Sequence, residues 1–174
     1  RLSEKRDAYS IVSVSVDEID SILQEDAVLL LPILKEARTI INPLLLDRYK
    51  ESRFTHKNTR QFFSNTSKIM ELDRKGLELE FDVGSLVYSL MLRIRGLLMI
   101  ELIADARSYS KSALFGFLRS KGFSSTQINE MYGVYSSERS NIKIKESSSL
   151  AKKDIALLLR TAEDQLYRVQ GLLR

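Results

Sequence analysis

The sequence predicts a mainly α-helical protein: an antiparallel bundle of four to five helices, preceded by a small α/β segment. Three observations carry this. Apolar residues recur at spacings of three and four through most of residues 82–174. Helix-start signals stand where those stretches begin, as with Ser124 and Gln127 three residues on. Short β-prone runs occur only near the front of the chain.

The front segment reads strand, helix, helix, strand. Tyr9, Ile11, Val12, Val14 and Val16 are β-prone and alternate with Ser10, Ser13 and Ser15. Ser15 with Glu18 then forms a capping box, and Val14 with Ile19 supplies a hydrophobic staple for a helix running to about Gln24. Asp26 can cap the apolar stretch Ala27–Lys35, with Pro32 in its first turn. Arg38–Asn42 reads as a second short strand ended by Pro43. Two short strands make no stable sheet alone, so they are expected to be the edge of a sheet that lies elsewhere.

Leu44–Glu78 is predicted helical, with breaks near Arg53–Asn58 and at Gly76. It is the most basic stretch, and aromatics such as Tyr49, Phe54, Phe62 and Phe63 interleave with the charges. A single-stranded nucleic-acid surface needs that pattern. An amphipathic helix with buried aromatics and a wet basic face produces it by default, and that reading is preferred.

Beyond Asp82 the helices are clearer. Val83–Ala106 is apolar nearly all round, hence central. Ser110 starts the next helix, which carries Leu114, Phe117 and Leu118 inward and ends at Gly122. Ser124 opens a third, bearing Met131, Val134 and Tyr135 and fading near Arg139. Asn141–Ser149 reads as a polar loop, and Leu150–Leu173 as the last helix. The break between the two parts of the chain falls in Thr55–Asp82; we divide it into an α/β segment, residues 1–54, and a helical bundle, residues 55–174.

Composition narrows the chemistry. Among 174 residues there is no cysteine, which removes disulfides, thiolate metal sites and cysteine nucleophiles, and fits a reducing cytoplasm. His56 is the single histidine, so a metal site built on several imidazoles is excluded. The net charge is +4, as 27 Lys+Arg face 23 Asp+Glu. That balance suits an ordinary solvated surface or an anionic partner such as nucleotide or RNA. The apolar run Leu86–Ile103 could span a bilayer by length, but Arg93 and Arg95 sit at its middle, where each would cost several kcal/mol. No secretory signal opens the chain. It starts Arg1-Leu2-Ser3 without Met and reads as a fragment, a processed chain or the ordered part of something longer.

No glycine-rich phosphate loop, nucleophile elbow or zinc motif is present. The carboxylates Asp17, Glu18 and Asp20 are accounted for by helix capping and the helix dipole. Arg93 and Arg95 stand out, because arginine within an apolar helix needs a partner. They either form structural ion pairs, with Glu101 one candidate, or face a groove and hold an anion.

Residues 82–174 resemble a HEPN domain, the helical module found with minimal nucleotidyltransferases. The resemblance rests on Leu92-Arg93-Ile94-Arg95-Gly96-Leu97-Leu98 in the first helix, on Ala113-Leu114-Phe115-Gly116-Phe117-Leu118, on the Tyr135…Glu138-Arg139-Ser140-Asn141 turn, and on the final helix started by Ser149. It implies a bundle that pairs as a homodimer. Active members are metal-independent ribonucleases whose signature is an Arg, a polar residue and then a His. Arg139 and Ser140 match its start; the His would fall at Ile144, Lys145 or Glu146, none of them His. Loss of an imidazole general acid–base removes about 10²–10⁴-fold, so no catalytic residue is assigned. A ribonuclease using His56 or Lys143 and Lys145 is the alternative, and a plain dimerisation module a third.

The front segment is similar to the C-terminal edge of a minimal nucleotidyltransferase domain, in the order that fused nucleotidyltransferase–HEPN chains have. That fold's Gly-Ser and Asp-x-Asp core would lie upstream of Arg1, and Asp7 is the one nearby candidate for its third carboxylate. The expectation is therefore a HEPN-like bundle that binds nucleotide or RNA, or positions a substrate, with no metal and no cofactor. It would work beside a nucleotidyltransferase domain in cis or trans, in the cytoplasm and off the membrane. The candidate anion-binding residues are Arg93, Arg95, Arg139, Ser140, Asn141, Lys143 and Lys145.

Overall fold

The computed structural model describes residues 13–38, 42–140 and 150–174. Among them are eight helices and no strand: α1 (Val16–Glu25), α2 (Leu31–Glu36), α3 (Pro43–Lys50), α4 (His56–Glu78), α5 (Val83–Ala104), α6 (Lys111–Ser120), α7 (Ser125–Arg139) and α8 (Lys152–Leu172).

Local chemistry sets most of the boundaries. The Ser15 hydroxyl accepts from the Glu18 amide, and the Glu18 carboxylate accepts from the Ser15 amide at 2.7 Å. Ser124 and Gln127 repeat that reciprocal pair at α7. Thr55 and Asn58 make a third capping box, at α4, where only a break was expected. The Ser110 hydroxyl accepts from the Ala113 amide at 3.0 Å and starts α6. Gly122 follows α6 with φ +94°, a conformation that costs glycine little and L side chains much. At α8 the N-cap is Ala151, and the Asp154 carboxylate reaches back to its amide.

Four expectations change, the first being the start of the last helix, which Ala151 rather than Ser149 caps. Val16 opens α1 rather than closing a strand, because the Ser15 capping box begins the helix there; Tyr9–Val12 lie outside the described residues. Asn42 has φ +56° and directly precedes α3, which Pro43 starts instead of ending a strand; residues 39–41 lie outside the described residues. Gly76 does not break α4, which runs on to Glu78, since one glycine inside a helix costs only about 1 kcal/mol.

Helix α5 is the centre. It packs against α4, α7 and α8, and Val87, Met91, Ile94, Leu97 and Ile100 on it are fully buried. α4 and α5 are joined by four residues, which makes them antiparallel neighbours. Gly96 lets them approach: a Cβ there would stand 2.8 Å from Cζ of Phe62. The same continuous core takes in Leu23, Ala27 and Leu31 from the front of the chain. α1 docks on α4 through Asn58, whose Nδ2 donates to the Leu23 carbonyl while its own carbonyl accepts from the Ala27 amide. The helical bundle is thus present as expected, and its first helices share a core with it.

Candidate functional site

Successive helix residues turn by about 100°, so Arg93 and Arg95 leave α5 about 200° apart. They meet different neighbours. Arg93 faces α4, where it lies near Asp73. Its Nε is buried and without a hydrogen-bond partner. Asp73 accepts from the Ser89 hydroxyl at 2.8 Å. Burial pushes the Asp73 carboxyl above its ordinary value, with the Ser89 hydrogen bond and Arg93 working against that. This is an internal polar contact between α4 and α5. Glu101 does not serve Arg93: it pairs with Arg168 of α8 at 2.6 Å and accepts from the buried Gln165 amide.

Arg95 faces α7 and the turn after α5. Its Nη1 donates to the Tyr135 hydroxyl at 3.2 Å, and its guanidinium lies 5.5 Å from the centre of the Tyr109 ring. Burial raises the Tyr109 hydroxyl above its ordinary value, while Arg95 opposes the shift; Tyr109 is therefore a neutral phenol at neutral pH. Tyr135 stacks on Tyr88 of α5 at 5.7 Å and lies 6.0 Å from Tyr132. Tyr132 meets Phe115 of α6 edge-on at 5.3 Å. The Lys111 ammonium closes the cluster, 4.1 Å from the Tyr132 ring centre and 5.2 Å from that of Phe115.

Two cations and five aromatic rings thus form one connected patch across α5, α6, α7 and the α5–α6 turn. Among the described residues neither Arg95 nor Lys111 has a carboxylate within 4.0 Å. Tyr109, Phe115 and Tyr132 are half-buried and Lys111 is exposed. Partly open rings beside unneutralised cations can stack a planar ligand and hold an anion next to it.

Arg139 is the last residue of α7, exposed, and one helical turn beyond Tyr135. Ser140 is the C-cap and also exposed. Asn141, Lys143 and Lys145 lie outside the described residues. No hydrogen bond or ion pair joins His56, at the start of α4, to Arg139. Among the described residues no cluster of His, Asp or Glu is arranged to hold a metal ion, and no helix is long and apolar enough to cross a membrane.

Comparison with family models, with curated proteins and with solved structures finds no match to this chain.

Tyr88, Tyr109, Lys111 and Tyr132 are not among the residues the sequence singles out, and Phe115 enters only within the Ala113–Leu118 motif. A signal was there: Lys111 and Phe115 are four apart, and Tyr132 and Tyr135 three apart, on single helices. The basic, aromatic-rich stretch after Leu44 carries the more conspicuous sequence pattern. Its aromatics are inside: Tyr49, Phe54 and Phe63 are buried, and Phe62 packs edge-on against Phe63. The default amphipathic reading holds for that stretch.

Proposed function

We propose that this chain is a HEPN-like helical module that binds nucleotide or RNA and has no nucleolytic site of its own. One observation carries the reading: Arg95 and Lys111, both without a carboxylate partner among the described residues, stand among Tyr88, Tyr109, Phe115, Tyr132 and Tyr135. A base stacking on the half-open rings would place its phosphate near one or both cations. Arg139, exposed one turn past Tyr135, would extend the cationic track. The order of helices α5 to α8 also supports the family resemblance. Residues 1–54 are then the end of a nucleotidyltransferase-like domain, and the chain acts as a homodimer beside that domain.

The test is fluorescence anisotropy with a labelled single-stranded RNA of about ten nucleotides, near the footprint of a stacking groove. Saturable, salt-sensitive binding is expected, and Arg95→Ala with Lys111→Ala should abolish it. Equal binding by the double variant would sink this reading. The same RNA should remain intact on prolonged incubation. Cleavage that disappears in Arg139→Ala would establish the ribonuclease alternative instead.

A further inference from the structure

A second feature lies away from the aromatic patch, on different helices. A cleft of 300 Å³ opens between α1, the turn after α3 and the start of α4. Its size is at the small end of ligand pockets, about 300–1,000 Å³. Asp20, Arg48, Tyr49, Ser52, Arg53 and Asn58 contribute to its wall.

The two arginines are held differently. Arg48 is steered from the side by Asp20 at 3.5 Å and by the Tyr49 ring, 5.5 Å away. Arg53 has no carboxylate within 4.0 Å among the described residues. Its backbone is nevertheless pinned, because Asn58 Nδ2 donates to the Arg53 carbonyl at 3.1 Å while Asn58 Oδ1 accepts from the Thr55 amide at 2.7 Å. The root of this guanidinium is therefore fixed at the cleft.

Three cationic side chains, Lys35, Arg48 and Arg53, share this corner. Lys35 donates to the Lys50 carbonyl, which keeps its ammonium beside α3. Its pKa is lowered, first by burial and then by repulsion from Arg53. Asp17 and Asp20 are the carboxylates that act on Tyr49 from the facing side of α1, and Asp20 is already engaged by Arg48. Ser52 adds a hydroxyl to the wall of the cleft. Planar guanidiniums in pairs match the oxygens of a doubly charged group.

We propose that this cleft is a binding site for the phosphomonoester group of a small molecule, held between Arg48 and Arg53 with the Ser52 hydroxyl as a third donor. Tyr49 and Asp20 position Arg48, and Asn58 positions Arg53; none of these three needs to touch the ligand. The site does not depend on the aromatic patch and takes no base.

The purified chain is titrated with ribose 5-phosphate, with ribose as the uncharged control, by calorimetry and by thermal shift. Ribose 5-phosphate has no ring to stack, so the aromatic patch does not compete for it. Saturable binding and a raised Tm are expected for ribose 5-phosphate and not for ribose. Arg53→Gln, an exposed position, should leave the unliganded Tm unchanged and weaken binding by about tenfold, the loss of one charge-assisted hydrogen bond. Lys111→Ala should bind as the parent does. No saturation up to about 10 mM, equal affinity in Arg53→Gln, or loss of binding in Lys111→Ala would each overturn the proposal.

Discussion

Arg95 donates to the Tyr135 hydroxyl at 3.2 Å while its guanidinium rests 5.5 Å from the centre of the Tyr109 ring. The contact ties α5 to α7 and to the turn that leads into α6. It also keeps a permanent positive charge at the protein surface among aromatic rings, because a guanidinium does not lose its proton at accessible pH. A structural and a ligand-binding role therefore fall on one side chain.

The roles separate at Lys111. It is exposed and, among the described residues, makes only ring contacts, so its loss should leave stability nearly unchanged. Lys111→Ala is expected to weaken RNA binding uniformly across sequences and to lower the slope of log K against log salt by about one. Anisotropy titrations at several salt concentrations read both quantities.

The close approach of α4 and α5 predicts a steric penalty. Gly96→Ala places a methyl group 2.8 Å from Phe62 Cζ, so the ring or the helices must shift. The expected loss is about 1–3 kcal/mol by urea denaturation. Phe62→Leu in the same chain should recover part of it, as neighbouring sites are non-additive.

Glu101 predicts a loss of polar origin. It is buried, pairs with Arg168 and accepts from the fully buried Gln165 amide. Glu101→Ala leaves that amide without its partner, which costs about 1–3 kcal/mol. Arg168 is mostly exposed and water can replace its partner, so Arg168→Ala should cost less. Denaturation midpoints for the two variants test the order.

Asp73 gives a pH dependence with a definite sign. Its folded pKa lies above the ordinary 3.8, so the native state holds the proton more tightly than the unfolded chain. Its contribution is most favourable below pH 3.8 and is lost as pH rises through the folded value. Asp73→Asn should therefore be more stable than the parent at neutral pH, with the difference shrinking as pH falls towards 3.8. Thermal unfolding across that range checks it; a difference that grows towards acid would contradict the burial argument.

Much of the fold was legible because it is local. The Ser15–Glu18 and Ser124–Gln127 boxes, the Ser110 cap and the Gly122 terminus act within a few residues, and each stands where the sequence placed it. The all-round apolar character of α5 and the apolar periodicity of α8 also announce the bundle. Where two local signals competed the sequence misled: Val14 and Val16 are β-prone, yet the capping box at Ser15 takes Val16 into α1.

The sequence by itself determined most of the helices and those limits that a cap marks, at α1, α6 and α7, since capping and periodicity join residues three or four apart. Only the tertiary structure decided what the charged side chains do. Arg93 and Arg95 look equivalent in sequence, but one faces Asp73 on α4 and the other Tyr135 on α7. Glu101 finds Arg168, and Lys111 finds Tyr132. These partners come from separate helices, and no spacing rule reaches across a chain fold; the packing of α5 at the centre sets which of them meet.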